Sequence, residues 1–439
     1  MLDSKAITKV QSLILIAIIV VAAVVGGAAY FLWSEEEQSS ETIKIGIFAD
    51  LDGLMGKIIY HAAILAAEQL NSEGGLLGKQ VEVIGEDNDL ESGADMVVVN
   101  SALNRLITVD KVDFIIGLAG GDACLSSQDV IAEHKKIFFN LAAGQLEDTQ
   151  RVLDNYEKYK YYFRLTENAT TSFRGITDCL ILMRENIGFN KIGYLAEDRG
   201  WTKGITQSLD QYLPENGFDL VYKGTFSLGT VDFSSYFAAA EAAGVEVLVP
   251  LIATDMGLSF VKEYYDRQSP LFVYGGLIGI ISTPEGWEWT DEKCNHVSTV
   301  GAPIVTGYPV TSKILPTRDA YKQRWNEDIT SGGAGAYDVV RFILSDAIER
   351  AGTIETEAVI EALEETSIET TKARNWVFTE SHDVMVGENV HDPEADYQLV
   401  MIFQWQNGEL VPVYPKKIME EAGASYTFPD WAGPWDDLD

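Results

Sequence analysis

The chain is poor in cysteine, histidine and positive charge, and each shortage removes a class of function. Three cysteines in 439 residues (Cys124, Cys179, Cys294) are too few for a disulfide framework and stand at no zinc-binding spacing. Five histidines (His61, His134, His296, His382, His391) are scattered without an H-E-x-x-H pair, and no G-x-S-x-G nucleophile elbow is present. The glycine-rich stretch 117–121 lacks both the dinucleotide spacing and the Gly-Lys-Ser/Thr ending of a phosphate loop. Nothing recommends an enzyme, and no cofactor or metal is expected. Lysine and arginine number 32 against 67 aspartates and glutamates, a net charge of −35. Such a surface repels phosphate backbones and argues against a nucleic-acid partner.

What remains is a folded chain with one long apolar run. A hydrophobic content of 46% with 23% charged residues excludes wholesale disorder, and the length allows two lobes. Residues 12–33 carry no charge and are long enough to cross a bilayer as a helix. Lys5 and Lys9 precede the run, while Glu35, Glu36 and Glu37 follow it. That asymmetry puts a short tail (1–11) in the cytoplasm and everything after a linker (34–42) outside the cell membrane. A cleaved secretory signal would have a shorter apolar region and a small-residue cleavage site. Lys5-Ala6-Ile7-Thr8 ahead of the run also resembles the pilin-like signal of some archaeal solute-binding proteins, in which cleavage after Ala6 leaves the helix in place. Asn168-Ala169-Thr170 is an N-glycosylation sequon.

From residue 43 the pattern alternates. Strands are predicted at 43–48, 81–85, 114–117 and 137–140, then at 191–195, 220–226, 245–250 and 272–275, with helices between them. Regular β-α alternation calls for a parallel sheet covered on both faces, and two series of similar size imply two similar lobes. The acidic run 87–91 fits no EF-hand, since Ser92 and Val98 stand where glycine and glutamate are needed.

The stretch 71–89, NSEGGLLGKQVEVIGEDND, resembles the opening of the leucine/isoleucine/valine-binding protein family, the solute receptors of ABC transporters. Weaker likenesses follow in order: Phe163-Arg164-Leu165, Lys191-Ile192-Gly193-Tyr194, Asp232-Phe233-Ser234, Ala336-Tyr337-Asp338 and Phe403-Gln404-Trp405 with Gly408. The resemblance implies a type I periplasmic-binding-protein fold: two three-layer α/β/α lobes with parallel sheets, joined by a three-segment hinge and preceded here by one transmembrane helix. The first lobe would comprise 43–163 and 301–372, and the second 164–300 and 373–439, the latter including a C-terminal tail. It further implies capture of a small-molecule solute in an interlobe cleft and delivery to an ABC transporter permease. A sensory ectodomain and a pilin-like surface subunit that also binds solute are the rival readings.

Ligands of open parallel sheets bind at the carboxyl ends of the strands. The loops concerned are 50–56, which includes Leu54, then 118–123, 141–145, 198–203, 252–256 and 275–279. In the family, hydroxyls and backbone amides of the third and fourth loops take a ligand carboxylate, an acid in the second lobe takes the ammonium, and aromatics cover the side chain. The resemblance lays these positions on Gly121 (beside Gly120), on Gly144 in Ala142-Ala143-Gly144, and on Leu277. All three polar side chains are missing. Glycine amides can still receive an anion. The acid has to come from elsewhere, with Asp122 and Asp255 as candidates, each with a helix-capping alternative. Trp201 stands where an aromatic lid is expected. This pocket predicts a solute with a neutral or anionic head and an apolar body.

Overall fold

The computed structural model describes residues 42–89, 96–142 and 144–432, apart from the side chain of Asp122. The predicted tail, membrane helix 12–33 and most of the linker lie outside the described residues. Among those described, no helix is long and apolar enough to cross a membrane.

The first lobe is built from β1 (Ile43–Ala49), α1 (Leu54–Ser72), β2 (Val81–Asp87), α2 (Met96–Thr108), β3 (Phe114–Gly117), α3 (Asp122–His134), β4 (Ile137–Asn140), α4 (Glu147–Asp154), α5 (Tyr156–Tyr159) and β5 (Tyr162–Arg164). Its five strands are parallel in the order β2-β1-β3-β4-β5. The short central strands Phe-Ile-Ile-Gly and Ile-Phe-Phe-Asn are buried at every residue, as expected of strands covered on both faces. Helix α1 buries Ile58, Ile59, Ala62, Ala63, Ala66 and Leu70, a stripe at helical spacing.

The second lobe follows with α6 (Ala169–Ile187), β6 (Lys191–Glu197), α7 (Gly200–Glu215), β7 (Asp219–Phe226), α8 (Ser234–Ala242), β8 (Val247–Ile252), α9 (Met256–Arg267), β9 (Phe272–Val273) and β10 (Leu277–Ile278). The sheet order is β10-β8-β6-β7, with β9 also on β8, and all pairs are parallel. Tyr194 and Ala196 face one core and Leu195 the other, so each face of this sheet carries its own cluster. Of the predicted strand 272–275 only Phe272–Val273 forms, and a second short strand, Leu277–Ile278, follows Gly275, whose φ is +80°.

After α10 (Gly286–Trp289), β11 (Ser298–Gly301) leads back to the first lobe, which gains α11 (Ile314–Trp325), α12 (Ser331–Asp338), α13 (Leu344–Ala351) and α14 (Thr356–Glu364). α12 and α13 run into each other through a π-helical turn, Val339–Ile343. β12 (Met401–Gln406), β13 (Glu409–Tyr414) and α15 (Lys416–Glu421) complete the chain, with β11, β12 and β13 forming an antiparallel sheet. Tyr426 and Phe428 of the tail pack on Tyr274 and Phe272 of the second lobe.

The chain leaves the first core after Leu165 and enters the second at Ala169; it returns between Val300 and Ala302. The third passage differs from the sequence expectation. Residues 373–384, assigned to the second lobe, place Ala373, Trp376, Phe378 and Val384 in the first-lobe core. The passage is β12 itself, where Met401 and Phe403 face the first core and Ile402 the second.

Buried Arg164 ties these connections together. Its guanidinium donates to Asp383 through Nε (2.8 Å) and Nη2 (2.5 Å), to the Gln145 carbonyl (2.6 Å) and to Thr149 Oγ1 (3.1 Å). Burial opposes its charge, but the Asp383 contacts outweigh that and raise its pKa above the ordinary arginine value. Asn168 caps α6 by accepting from the Thr171 N–H (2.9 Å), and its Nδ2 donates to Asp383 (2.7 Å). The sequon amide is therefore engaged inside the hinge. Asp383→Ala leaves the Arg164 charge buried without its partner, and urea denaturation is expected to show a loss of about 3–5 kcal/mol. Exchanging both residues for apolar ones of similar volume should recover much of it.

Candidate functional site

In each parallel sheet the strand order reverses once, between β1 and β3 in the first lobe and between β6 and β8 in the second. Loops leaving the sheet on either side of such a reversal diverge and open a crevice. The two crevices face each other. Built outward from its backbone, a Cβ on Gly200 would lie 3.9 Å from the Gly121 Cα, and one on Gly144 3.8 Å from the Trp201 Cβ. Leu54, the first residue of α1, packs against both the first-lobe core and a second-lobe core.

On the first-lobe wall, buried amide side chains hold the loop after β3 by its carbonyls. Asn88 Nδ2 donates to the Leu118 carbonyl (3.2 Å), Asn140 Nδ2 to that of Ala119 (2.8 Å) and Gln145 Nε2 to that of Gly121 (3.0 Å). With the carbonyls fixed, the N–H groups of Gly120 and Gly121 have no acceptor among the described residues. Gly121, at φ +58° and ψ −136°, occupies a conformation available essentially to glycine. A Cβ on Gly120 or Gly121 would meet nothing within 4 Å. These amides stand at the N-terminus of the 13-residue helix α3, where positive potential accumulates. Gly56 is required for a different reason, since a Cβ there would lie 1.8 Å from the Asp50 carbonyl oxygen.

The second-lobe wall is organised around Glu197, the last residue of β6, which is 0% exposed. Its Oε1 accepts from Trp201 Nε1 (2.9 Å) and its Oε2 from Thr254 Oγ1 (3.1 Å), joining the loops after β6 and β8 across the reversal. Thr202 Oγ1 closes the turn on the Glu197 carbonyl (2.7 Å).

Gly120, Gly121, Gly144 and Trp201 are brought together, and Ala142 stands exposed beside them, its N–H donating to Asn140 Oδ1. Ala143 lies outside the described residues. Asp122 opens α3 behind its N-cap Gly121, so it is the first helical residue and not the cap. Asp255 is exposed at the start of α9 without a capping hydrogen bond. Leu277 is a strand residue paired with Leu251. The acid at this cleft that sequence reasoning passed over is Glu197. Its signal was present: a carboxylate closing an otherwise apolar strand, Ile192 to Ala196, four residues before a tryptophan. Trp287 and Trp289 pack against the second-lobe core, Trp287 lying 5.6 Å from Trp405.

Beneath the first-lobe wall, Asp148 accepts from Gln145 Nε2 (2.6 Å), which also holds Gly121. Burial raises the Asp148 pKa to about 6, against the Gln145 hydrogen bond and the Arg164 charge, which lower it.

A profile of the periplasmic binding protein family matches residues 42–408. The Leu/Ile/Val-binding protein homolog 7 of Brucella abortus (strain 2308) is 25% identical over 392 residues, covering 86% of this chain and 92% of its own. Among solved structures, the branched-chain amino acid transporter substrate-binding protein LivJ of Streptococcus pneumoniae, in complex with isoleucine, superposes with a TM-score of 0.70 at 20% identity, covering 85% of this chain and all of its own. The leucine-binding protein LivK of Thermotoga maritima gives 0.67 at 18%, with coverage of 84% and 97%. A solute-binding protein of R. palustris in complex with benzoate gives 0.69 at 13%, with coverage of 84% and 95%.

The Asp148 shift has a stability consequence with a definite sign. The folded state holds this proton up to about pH 6, whereas the unfolded chain releases it near 3.8. Stability contributed by the group is therefore lost as pH rises from about 4 to 6, and stays lost above. Asp148→Asn should flatten that window and raise stability at pH 7.5 by about 1–3 kcal/mol, read from denaturant midpoints across pH.

Proposed function

Because the chain belongs to the periplasmic binding protein family, we propose that it is a membrane-anchored extracellular receptor that captures a small organic solute between its lobes and delivers it to an ABC transporter permease. The observation that carries this reading is the opposition of two sheet crevices, with free glycine amides on one wall and Trp201 on the other. Such a cleft binds by shape and by a few placed polar groups, and lobe motion about the connections admits and encloses the solute. The Gly120 and Gly121 amides receive an anionic or polar head, while Leu54 and Trp201 cover an apolar body.

Residues 12–33 serve as the anchor, with residues 1–11 in the cytoplasm and the lobes outside. The charge asymmetry across that run supports this orientation. Relatives and fold neighbours with names or ligands such as leucine, isoleucine, valine and benzoate support amino-acid-like solutes and organic acids as the class to test.

The test is thermal unfolding of the full chain in detergent with leucine, isoleucine, phenylalanine, benzoate, acetamide, urea and short peptides. A solute held at about 100 times its Kd adds roughly 2.7 kcal/mol of stability. One chemical class is expected to give such a shift, and Trp201→Ala to abolish it. A folded protein that no member of the panel stabilises would count against the receptor reading.

A further inference from the structure

Resting on the receptor reading, we propose that Glu285 is a latch between the lobes. On closure around a solute its second carboxylate oxygen seats on the Tyr321 hydroxyl and the Trp325 indole, so that a contact touching no solute helps to set affinity. Glu285 belongs to the second lobe: it immediately precedes α10, and its neighbours Ile280, Ile281 and Trp287 pack in a second-lobe core. Tyr321 is buried in the first-lobe core, and Trp325 packs against that core. Glu285 Oε1 crosses from one lobe to the other by accepting the N–H of Asp328 (3.1 Å), which lies just beyond α11. The crossing is half made. Glu285 Oε2, Tyr321 OH and Trp325 Nε1 are each sealed from solvent with no hydrogen-bond partner among the described residues.

The three unpartnered atoms are complementary. An ionised carboxylate oxygen only accepts, an indole N–H only donates, and a phenol can donate. Tyr321 and Trp325 stand four residues apart on α11 and share one of its faces. That face is turned toward the acids: burial raises the Tyr321 pKa, and the nearby charges of Glu327 and Glu285 raise it further. Glu327 is already occupied by Lys57 (2.7 Å) and His61 (3.3 Å), and Asp328 by Lys322 (2.7 Å) and Arg318 (3.9 Å). Among these three acids the unpartnered oxygen is that of Glu285. The Trp325 ring is held in place, stacked on His61 at 3.8 Å with Arg324 over it at 4.0 Å. A sealed polar group without a partner is costly, so a displacement that joins the acceptor to the two donors removes three penalties together. The required movement is small because the latch lies beside a passage between the lobes: Ser331, three residues beyond Asp328, accepts the Ala302 N–H through Oγ (3.1 Å).

The structural alternative is a bridging water that satisfies the three groups in one fixed arrangement, in which case the Tyr321 hydroxyl has no bearing on lobe motion. Tyr321→Phe separates the two, since it leaves the Glu285–Asp328 contact intact. Lobe separation is read by double electron–electron resonance on the full chain in detergent. Nitroxides go on Leu153→Cys in the first lobe and Leu228→Cys in the second, both exposed sites, while the native Cys124, Cys179 and Cys294 are buried. Affinity is read by calorimetric titration with leucine, isoleucine, phenylalanine and benzoate. Without solute, Tyr321→Phe is expected to move the distance distribution away from that of the wild type, toward open lobes. Every solute the wild type binds should bind about tenfold or more weakly, all by the same factor, because the latch touches none of them. Glu285→Ala should act in the same direction, and adding Tyr321→Phe to it should cost no more than about threefold further, since the two residues form one contact. A Tyr321→Phe protein with wild-type distances, and affinities within about threefold of wild type, would overturn the latch and leave the receptor reading standing. So would a double variant whose loss is the product of the two single losses. If the wild type binds no solute of the four, the receptor reading is the one that suffers, and the distances alone decide the latch: a shift in Tyr321→Phe sustains it and an unshifted distribution overturns it.

Discussion

The buried Arg164–Asp383 pair is the constraint on which the arrangement of this chain depends. Arg164 ends the last strand of the first sheet, and the three residues it binds come from two stretches: Gln145 and Thr149 beyond β4, and Asp383 in the return chain. A guanidinium can be buried only if such partners surround it, so the segment 373–384 is drawn onto the first lobe. Phe163 stacks on His382 at 4.1 Å and meets Phe378 at 5.0 Å, so apolar packing follows the ion pair along the same path. Lys372 Nζ reaches the Leu165 carbonyl (3.4 Å), and Thr371 donates twice to Asp338, once from its N–H (3.1 Å) and once from its hydroxyl (2.8 Å).

The cleft inherits its shape from this frame. Through the Gln145 carbonyl, Arg164 steadies the residue whose side chain holds Gly121, so hinge and first-lobe wall share one network of buried polar groups. Networks of this kind are stiff because each member left unpaired is costly. Under the proposed function, lobe motion is taken up outside it, in the residues just after Leu165 and around Gly301, where the chain changes core.

The walls divide the work of recognition by chemistry. Under the proposed function, the first lobe contributes backbone amides, which are indifferent to side-chain identity, so glycine can stand there. Under the same proposal, side chains of the second lobe, Trp201 among them, carry the selectivity. The acidic surface elsewhere is a matter of solubility, and its pairs, such as Arg324–Glu68, are exposed and worth little individually.

The fold was legible in the residues themselves. Buried parallel strands must be apolar at every position and the covering helices apolar on one stripe, so Ile43–Ala49, Phe114–Gly117 and Ile137–Asn140 announce themselves through local pattern alone. The loops that carry the first-lobe glycines and Trp201 could be located too, because they follow directly from strand ends. The acid was not. Asp122 and Asp255 were credible from sequence because any acid in a strand-end loop is, while Glu197 looked like the edge of a strand. Only the tertiary structure shows Glu197 buried between two neutral donors at the sheet's order reversal. The third passage through β12 was equally hidden, since it depends on Asp383 finding Arg164 across 219 residues. Periodicity reports which face of an element is buried; which distant charge meets which, and what is left without a partner, is decided when the lobes assemble.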